Sequence, residues 1–473
     1  MNQLSLTRRD LLAAAAATPL LATVACQSVP IPAPTESNPA RARPKAVPRH
    51  LIVLVSDDQS RIDMSGSGNP DCHTPNLDRL AQSGARFERG YVVVGVCKPS
   101  RSALYTGLYP HNNGAIGFVP VRDDVRTWCE LLQPETCATG MIGKLNVKPV
   151  SKFRFEKWVA PKKVGDARAG DAIAEALRDM IRGFGERRMA IVVNLKDPHR
   201  PFREPLVDDD PATPIPHDPA KIHVPAKFAD TPETRAELAH YHDFLWRLDR
   251  TIGSVLDVLD ETGIARDTLL VMTSDNGRPF PFAKTTLYEA GINVPFLVRW
   301  PGVIEPGTRS DAFVSLVDLL PTALDMFGVD PQVPLDGHSL LPLLRGEVAS
   351  VRERFVGEHT EHLKGLPNPS RSIRDTRFKY IRNYPAAEDF KSNVLEFSMT
   401  WNSWMKLAKD DPVLRERMLR FMRRPPQELY DLESDPDEMH DLAGDPAHAT
   451  TLARLSAELD EWMRATKDPL SRA

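Results

Sequence analysis

Three groups of polar residues stand where buried strands are expected to end, and their types define the available chemistry. Asp57 and Asp58 follow the apolar run at residues 50–55. Asp275 and Asn276 follow a second run at residues 269–273, and Asp197, His199 and Arg200 follow a third at residues 190–195. Ligands of open parallel sheets bind beyond the carboxyl ends of the strands. Adjacent carboxylates repel, and burying both without a cation is costly. Three carboxylates and an amide oxygen make an all-oxygen set suited to calcium, with magnesium the lesser choice. Helix or loop capping is the competing use of such pairs.

Between the two acidic pairs lies Cys97-Lys98-Pro99-Ser100-Arg101. Pro99 suits a first helical turn, so Cys97 falls at a helix N-terminus, where amide donors and the dipole favour an anion. Arg101 adds a guanidinium about one turn away. A thiol so placed can serve as a thiolate nucleophile; an ordinary half-buried cysteine is the bland alternative.

Cys-x-Pro-Ser-Arg, continued by Ser102-Ala103-Leu104-Tyr105-Thr106-Gly107-Leu108, resembles the signature of the formylglycine-dependent sulfatases, of alkaline-phosphatase-like fold. Ser56-Asp57-Asp58-Gln59 and Thr273-Ser274-Asp275-Asn276-Gly277 resemble that family's calcium motifs. Thr74-Pro75-Asn76-Leu77-Asp78 and Glu428-Leu429-Tyr430-Asp431-Leu432 are also similar. Asp197-Pro198-His199-Arg200, the run from Ser274 to Pro281, the run from Thr231 to Leu238 and Lys284-Thr285-Thr286-Leu287-Tyr288 resemble the heparan N-sulfatase (sulfamidase) branch.

The resemblance implies roles. Cys97 would be oxidised to formylglycine by a formylglycine-generating system. Calcium would be held by Asp57, Asp58, Asp275, Asn276 and the modified Cys97. Arg101, Lys144 and Lys284 would hold the nucleophile and the sulfate oxygens, and His199 would serve as acid or sulfate donor. Asn146, Arg200, His359 and Arg371 would face the substrate, a sulfated carbohydrate such as N-sulfoglucosamine of heparan-type glycans. One departure stands out: the family usually shows Lys-x-His where this chain has Lys144-Leu145-Asn146. Asn146 can hydrogen-bond but is no base near neutral pH. Two rivals stay open: a phosphonate or phosphate monoester hydrolase of the same superfamily, and an impaired glycan-binding protein.

Positioning these groups takes a large fold. Apolar runs alternating with helical stretches argue for a large, mostly parallel α/β sheet flanked by helices, with a smaller C-terminal α+β part. Strands are expected at 50–55, 86–94, 137–142, 190–195, 269–273 and 295–298. Helices are expected from Thr74, capped by it, and at 99–105, 166–184, 234–259 and 316–327. Residues 49–346 read as the catalytic domain. Residues 347–473 read as a subdomain with strands at 355–358, 371–374 and 378–381 and a terminal helix at 450–463.

The first 26 residues read as an export signal. Arg8 and Arg9 precede an apolar run too short for a comfortable membrane span and broken by Pro19. The arginine pair resembles a twin-arginine signal. Cys26 resembles a lipid-anchor acceptor, and a Pro-rich linker fills residues 27–48. The expected location is the periplasm or the cell surface. Cys72, Cys129 and Cys137 do not make a disulfide framework, and a formal net charge of -4 gives no support for nucleic-acid binding.

Overall fold

Long apolar, β-branched runs with few polar interruptions must be buried on both faces, and they form the centre of the molecule. The computed structural model of the chain describes residues 46–202, 217–362, 367–385 and 389–471. Among these, one sheet is built from β1 (His50–Ser56), β2 (Ala85–Tyr91), β3 (Ala138–Gly143), β4 (Lys157–Val159), β5 (Met189–Asn194), β6 (Thr268–Ser274), β7 (Phe296–Arg299) and β8 (Thr308–Ser315). Their order is β4-β3-β5-β1-β6-β7-β2-β8. Only β7 runs against its neighbours, β6 and β2. β1, β5 and β6 are buried along their whole length, as helices cover both faces of such sheets.

Two strands of this sheet are additions to the expected set. β4 has three residues, too few for a periodic signal. β8 is polar and half-exposed over its first five residues, so its sequence lacks an apolar run.

The helix expected at 166–184 begins only at Gly170. Gly165, Asp166 and Ala167 all have positive φ (58°, 57° and 62°), which no right-handed helix accommodates. Thr74 sits at the N-cap of the helix Pro75–Gln82, but its side chain does not cap it. Its hydroxyl instead accepts from Ser65 N–H. The capping acceptor is Asp249, from the long helix Pro232–Glu261, which accepts from Asn76 N–H at 3.0 Å and Leu77 N–H at 2.8 Å.

The second sheet is antiparallel: β9 (Phe355–Glu361), β10 (Pro367–Arg374), β11 (Phe378–Asn383) and β12 (Gln427–Asp431), ordered β12-β11-β10-β9. The helix Ala449–Ala465 presents Leu455, Leu459 and Met463 at four-residue intervals, so one stripe meets Val356, Ile373, Tyr380 and Leu429. Both sheets lie within one compact unit, Ala46–Ala473.

The export segment, Arg8, Arg9, Cys26 and nearly all of the linker lie outside the described residues. Among the described residues no helix is long and apolar enough to cross a membrane. Cys72, Cys97, Cys129 and Cys137 are free thiols.

Candidate active site

β1 and β6 are hydrogen-bonded neighbours with Ser56 opposite Ser274. The acidic groups just beyond them are therefore brought side by side. Asp275 N–H donates to Ser56 O at 3.1 Å, and Gln59 N–H donates to Ser274 Oγ at 3.0 Å. Asp58 adopts a left-handed φ of 75°, a conformation costing a non-glycine residue about 1–2 kcal/mol. Asp57, Asp58, Asp275 and Asn276 are all buried.

Cys97 opens the helix Cys97–Thr106, two residues earlier than Pro99 suggests, and the left-handed Gly107 ends it. Arg101 lies one turn on and is wholly buried. Its Nε donates to Asp275 Oδ2 at 2.7 Å, Nη1 donates to Asn194 Oδ1, and Nη2 lies 3.6 Å from Asp57 Oδ2. Lys144, just past β3, ion-pairs with Asp57; Lys284 ion-pairs with Asp58. Asn276 Nδ2 donates to Asp58 Oδ1 at 2.7 Å. The cations thus answer the carboxylates almost one for one.

Burial alone would raise the Asp57 carboxyl, but Lys144, His199 and Arg101 outweigh it and hold Asp57 well below the usual carboxylate range. Asp275 is pushed up to about 6 by burial and by the charge of Asp57, against the pull of Arg101. That contrast follows the partners: Asp57 faces both Lys144 and Arg101, whereas Asp275 is paired with Arg101.

His199 Nδ1 lies 2.5 Å from Arg200 O. A carbonyl only accepts, so Nδ1 carries the hydrogen and Nε2 of the neutral ring is an acceptor. Burial lowers the imidazole's proton affinity, against the pull of Asp58 and Asp57. Nε2 stands 3.9 Å from Asp58 Oδ2. The expected role as acid therefore requires this nitrogen to gain a proton first.

The donor set suits a metal. Ligand atoms of Asp57, Asp58 and His199 all lie within 4.8 Å of one another. Asp57 Oδ1 and Asn276 Oδ1 are buried without a hydrogen-bond partner. Such orphaned acceptors are costly and fit a hard divalent cation. Of the expected ligands this grouping holds Asp57 and Asp58 and adds His199; Asp275 and Cys97 are not among its members. Cys97 instead lies within electrostatic reach of Lys144, Lys284 and Arg101.

Cys97, Asp58, Lys144, Lys284, His199 and Asn146 line one cavity of about 660 Å³. Asn146 has a positive φ of 53° and a buried Nδ2 without a partner. Arg200 also lines the cavity, but its guanidinium is bound to Glu237 at 2.6 Å and to Pro279 O. His359 and Arg371, expected to face the substrate, do not line it. Arg371 is buried against Asp468, Nε to Oδ2 at 2.5 Å, and His359 is buried with neither ring nitrogen hydrogen-bonded.

The sequence reading missed Asn194, which bridges Arg101 and Tyr105 from the end of β5. A polar residue ending an apolar run was the available signal. It also missed the cavity's Phe118, His362, Phe397 and Met399, for which no motif exists.

The family profile described as Sulfatase matches residues 49–329, and that described as N-sulphoglucosamine sulphohydrolase, C-terminal, matches residues 279–396. N-sulphoglucosamine sulphohydrolase of Homo sapiens is 31% identical over 468 residues, covering 90% of this chain and 92% of that protein. An ulvan-active sulfatase of Formosa agariphila is 31% identical over 433 residues, covering 89% of this chain and 81% of that protein. The solved phosphonate monoester hydrolase of Silicibacter pomeroyi shares the fold: TM-score 0.69 at 21% identity, covering 88% of this chain and 95% of that one. With a profile spanning more than half of its length and a relative this similar from end to end, the chain belongs to the sulfatase family.

Proposed function

We propose that the chain hydrolyses a sulfate ester or sulfamate on a carbohydrate, with the side chain at position 97, oxidised to formylglycine, as nucleophile. One observation carries the reading: Cys97, Lys144 and Lys284 line one cavity beside a buried acidic cluster in which Asp57 Oδ1 and Asn276 Oδ1 have no hydrogen-bond partner. Formylglycine supplies a hydrated aldehyde as attacking group, and a divalent cation, calcium by its oxygen-rich donors, supplies Lewis-acid charge. Asp57, Asp58, Asp275 and Asn276 would hold the ion, with His199 at its edge.

The rest falls to the chain's own groups. Arg101 fixes the carboxylates from behind. Lys144 and Lys284 place positive charge where the sulfo oxygens gain negative charge, so they stabilise the transition state more than the ground state. His199 Nε2 accepts or returns a proton at the cavity wall. Names of the relatives support a glycan: one acts on N-sulphoglucosamine, another on ulvan. Export through a twin-arginine signal to the periplasm or cell surface, anchoring at Cys26 and a subdomain boundary near residue 346 are part of the same proposal.

The test pairs mass spectrometry of the peptide containing position 97 with assays on matched sulfate ester, sulfamate and phosphonate substrates. Conversion of Cys97 together with preferential sulfate or sulfamate turnover is expected. Preferential phosphonate turnover would overturn the reading, as would an unconverted thiol in a protein that binds glycan without cleaving it.

A further inference from the structure

Gly165, Asp166 and Ala167 follow one another with left-handed φ values of 58°, 57° and 62°. Glycine takes that conformation freely, but aspartate and alanine do not. Such strain persists only where the surroundings over-determine it, and it collects at functional sites. Packed against this turn is the loop that carries His199. Ala167 O accepts from Lys196 N–H at 3.0 Å, and Asp166 ion-pairs with Lys196. The turn delivers Arg168, which is half-buried, onto the same loop.

Arg168 makes two bonds there. Nη1 donates to Asp197 Oδ1, and Nη2 donates to the carbonyl oxygen of His199 at 2.6 Å. Arg247 holds Asp197 as well, with Nε to Oδ2 at 2.6 Å and Nη2 to Oδ1 at 2.8 Å. Both guanidiniums pack on the Phe244 ring, 5.0 and 4.4 Å from its centre. His199 is thus fixed at three atoms. Its N–H donates to Lys196 O at 2.9 Å, its ring Nδ1 faces Arg200 O, and its carbonyl accepts from Arg168. The first two bonds are local to the loop, and the third refers the histidine to another part of the chain. A planar fork can hold a carboxylate and a carbonyl at once, where an ammonium is a single point charge. Misplacing a reacting group by about 1 Å can cost about a hundredfold in rate.

Resting on the sulfatase reading above, we propose that Arg168 is a positioning residue that acts through His199 and sets where Nε2 stands in the cavity. The left-handed turn is what brings the guanidinium to the His199 carbonyl.

The test measures turnover of methyl glucosaminide carrying one sulfo group, at nitrogen or at O6, whichever the native enzyme cleaves faster. Arg168→Ala should fold, because Arg247 still neutralises Asp197. Its kcat should fall about tenfold to a hundredfold, with KM changed less than about threefold. A double-mutant cycle separates positioning from general damage. In a His199→Ala background, Arg168→Ala should cost less than about twofold more, because the group it positions is gone. Arg168→Lys keeps the charge without the fork and should fall between; it takes the place of Arg168→Ala in the cycle if that variant does not fold. Undiminished kcat, or the full loss repeated in the His199→Ala background, would overturn the proposal. Hydrogen exchange of the peptide spanning residues 194–200 reads the loop without turnover. Exchange at least about threefold faster in the Arg168 variant supports the clamp even if the native protein cleaves no sulfo substrate, and that failure would then fall on the sulfatase reading alone. Unchanged exchange overturns the clamp.

Discussion

Arg101 Nε donates to Asp275 Oδ2 at 2.7 Å, with both side chains fully excluded from solvent. The same guanidinium faces Asp57 and Asn194, so one side chain ties the ends of β1, β5 and β6 to the helix that carries Cys97. A planar fork does this in a way that a flexible ammonium cannot.

Replacing Arg101 by Ala leaves Asp57 and Asp275 with a large share of their positive charge gone. Breaking a buried pair from one side costs about 3–5 kcal/mol. Urea denaturation of Arg101→Ala should show a loss of that size, with Arg101→Lys intermediate. Unchanged stability in both variants would show that the guanidinium is not what holds the carboxylates.

The orphaned oxygens of Asp57 and Asn276 predict that metal stabilises the fold. A ligand that binds only the native state adds about 2.7 kcal/mol at a hundredfold excess over its Kd. Dialysis against chelator should lower Tm, and added calcium should restore it. Asp57→Asn should abolish the calcium-dependent increment. A Tm indifferent to chelator and calcium would mean the site holds no ion.

Much of this site was legible because its chemistry is written at strand ends. Asp57, Asp58, Asp275 and Asn276 each follow an uninterrupted apolar run, and parallel neighbours bring such ends together. His359 and Arg371 were directed to the substrate by resemblance alone, and a motif does not name what covers a strand's face. The register sets Arg371 opposite Glu358, and the partner that captures it, Asp468, arrives 97 residues later. The cavity's Phe118 and Phe397 were invisible for a similar reason: they reach it from distant stretches of chain. β8 escaped notice because half of it is polar.

His111 Nδ1 lies 2.5 Å from Glu358 Oε2, both side chains buried. Burial depresses the imidazole, but the hydrogen bond and charge of Glu358 outweigh it, so His111 titrates above its ordinary value. The folded state therefore binds the proton more tightly than the unfolded state. The stabilisation is fully present below the unfolded value of about 6.5 and fades as pH rises through the folded one. The Tm gap between the native sequence and His111→Gln should be wide at pH 5.5 and narrower at pH 9. A gap that widens toward high pH would refute the assignment.

Gly143 ends β3 with φ +88°, immediately before Lys144. A Cβ there would stand 2.1 Å from Asn194 O, a backbone atom that cannot yield cheaply. Gly143→Ala should lose about 1–3 kcal/mol or more in denaturant melts, given strain at positive φ plus overpacking. It should also lower kcat/KM, because the shift moves Lys144 off Asp57. Full activity with native stability would mean the turn tolerates a side chain.

The contact between Asp58 N–H and Asp275 Oδ1 spans 217 residues of chain. On the ribosome, position 97 emerges while β6 is still unmade, so the nascent polypeptide carries its future nucleophile with only half of the cation cradle in existence. Any enzyme that must reach that thiol has this interval of synthesis to work on an open strand, before the last parallel neighbour zips alongside β1 and closes the door.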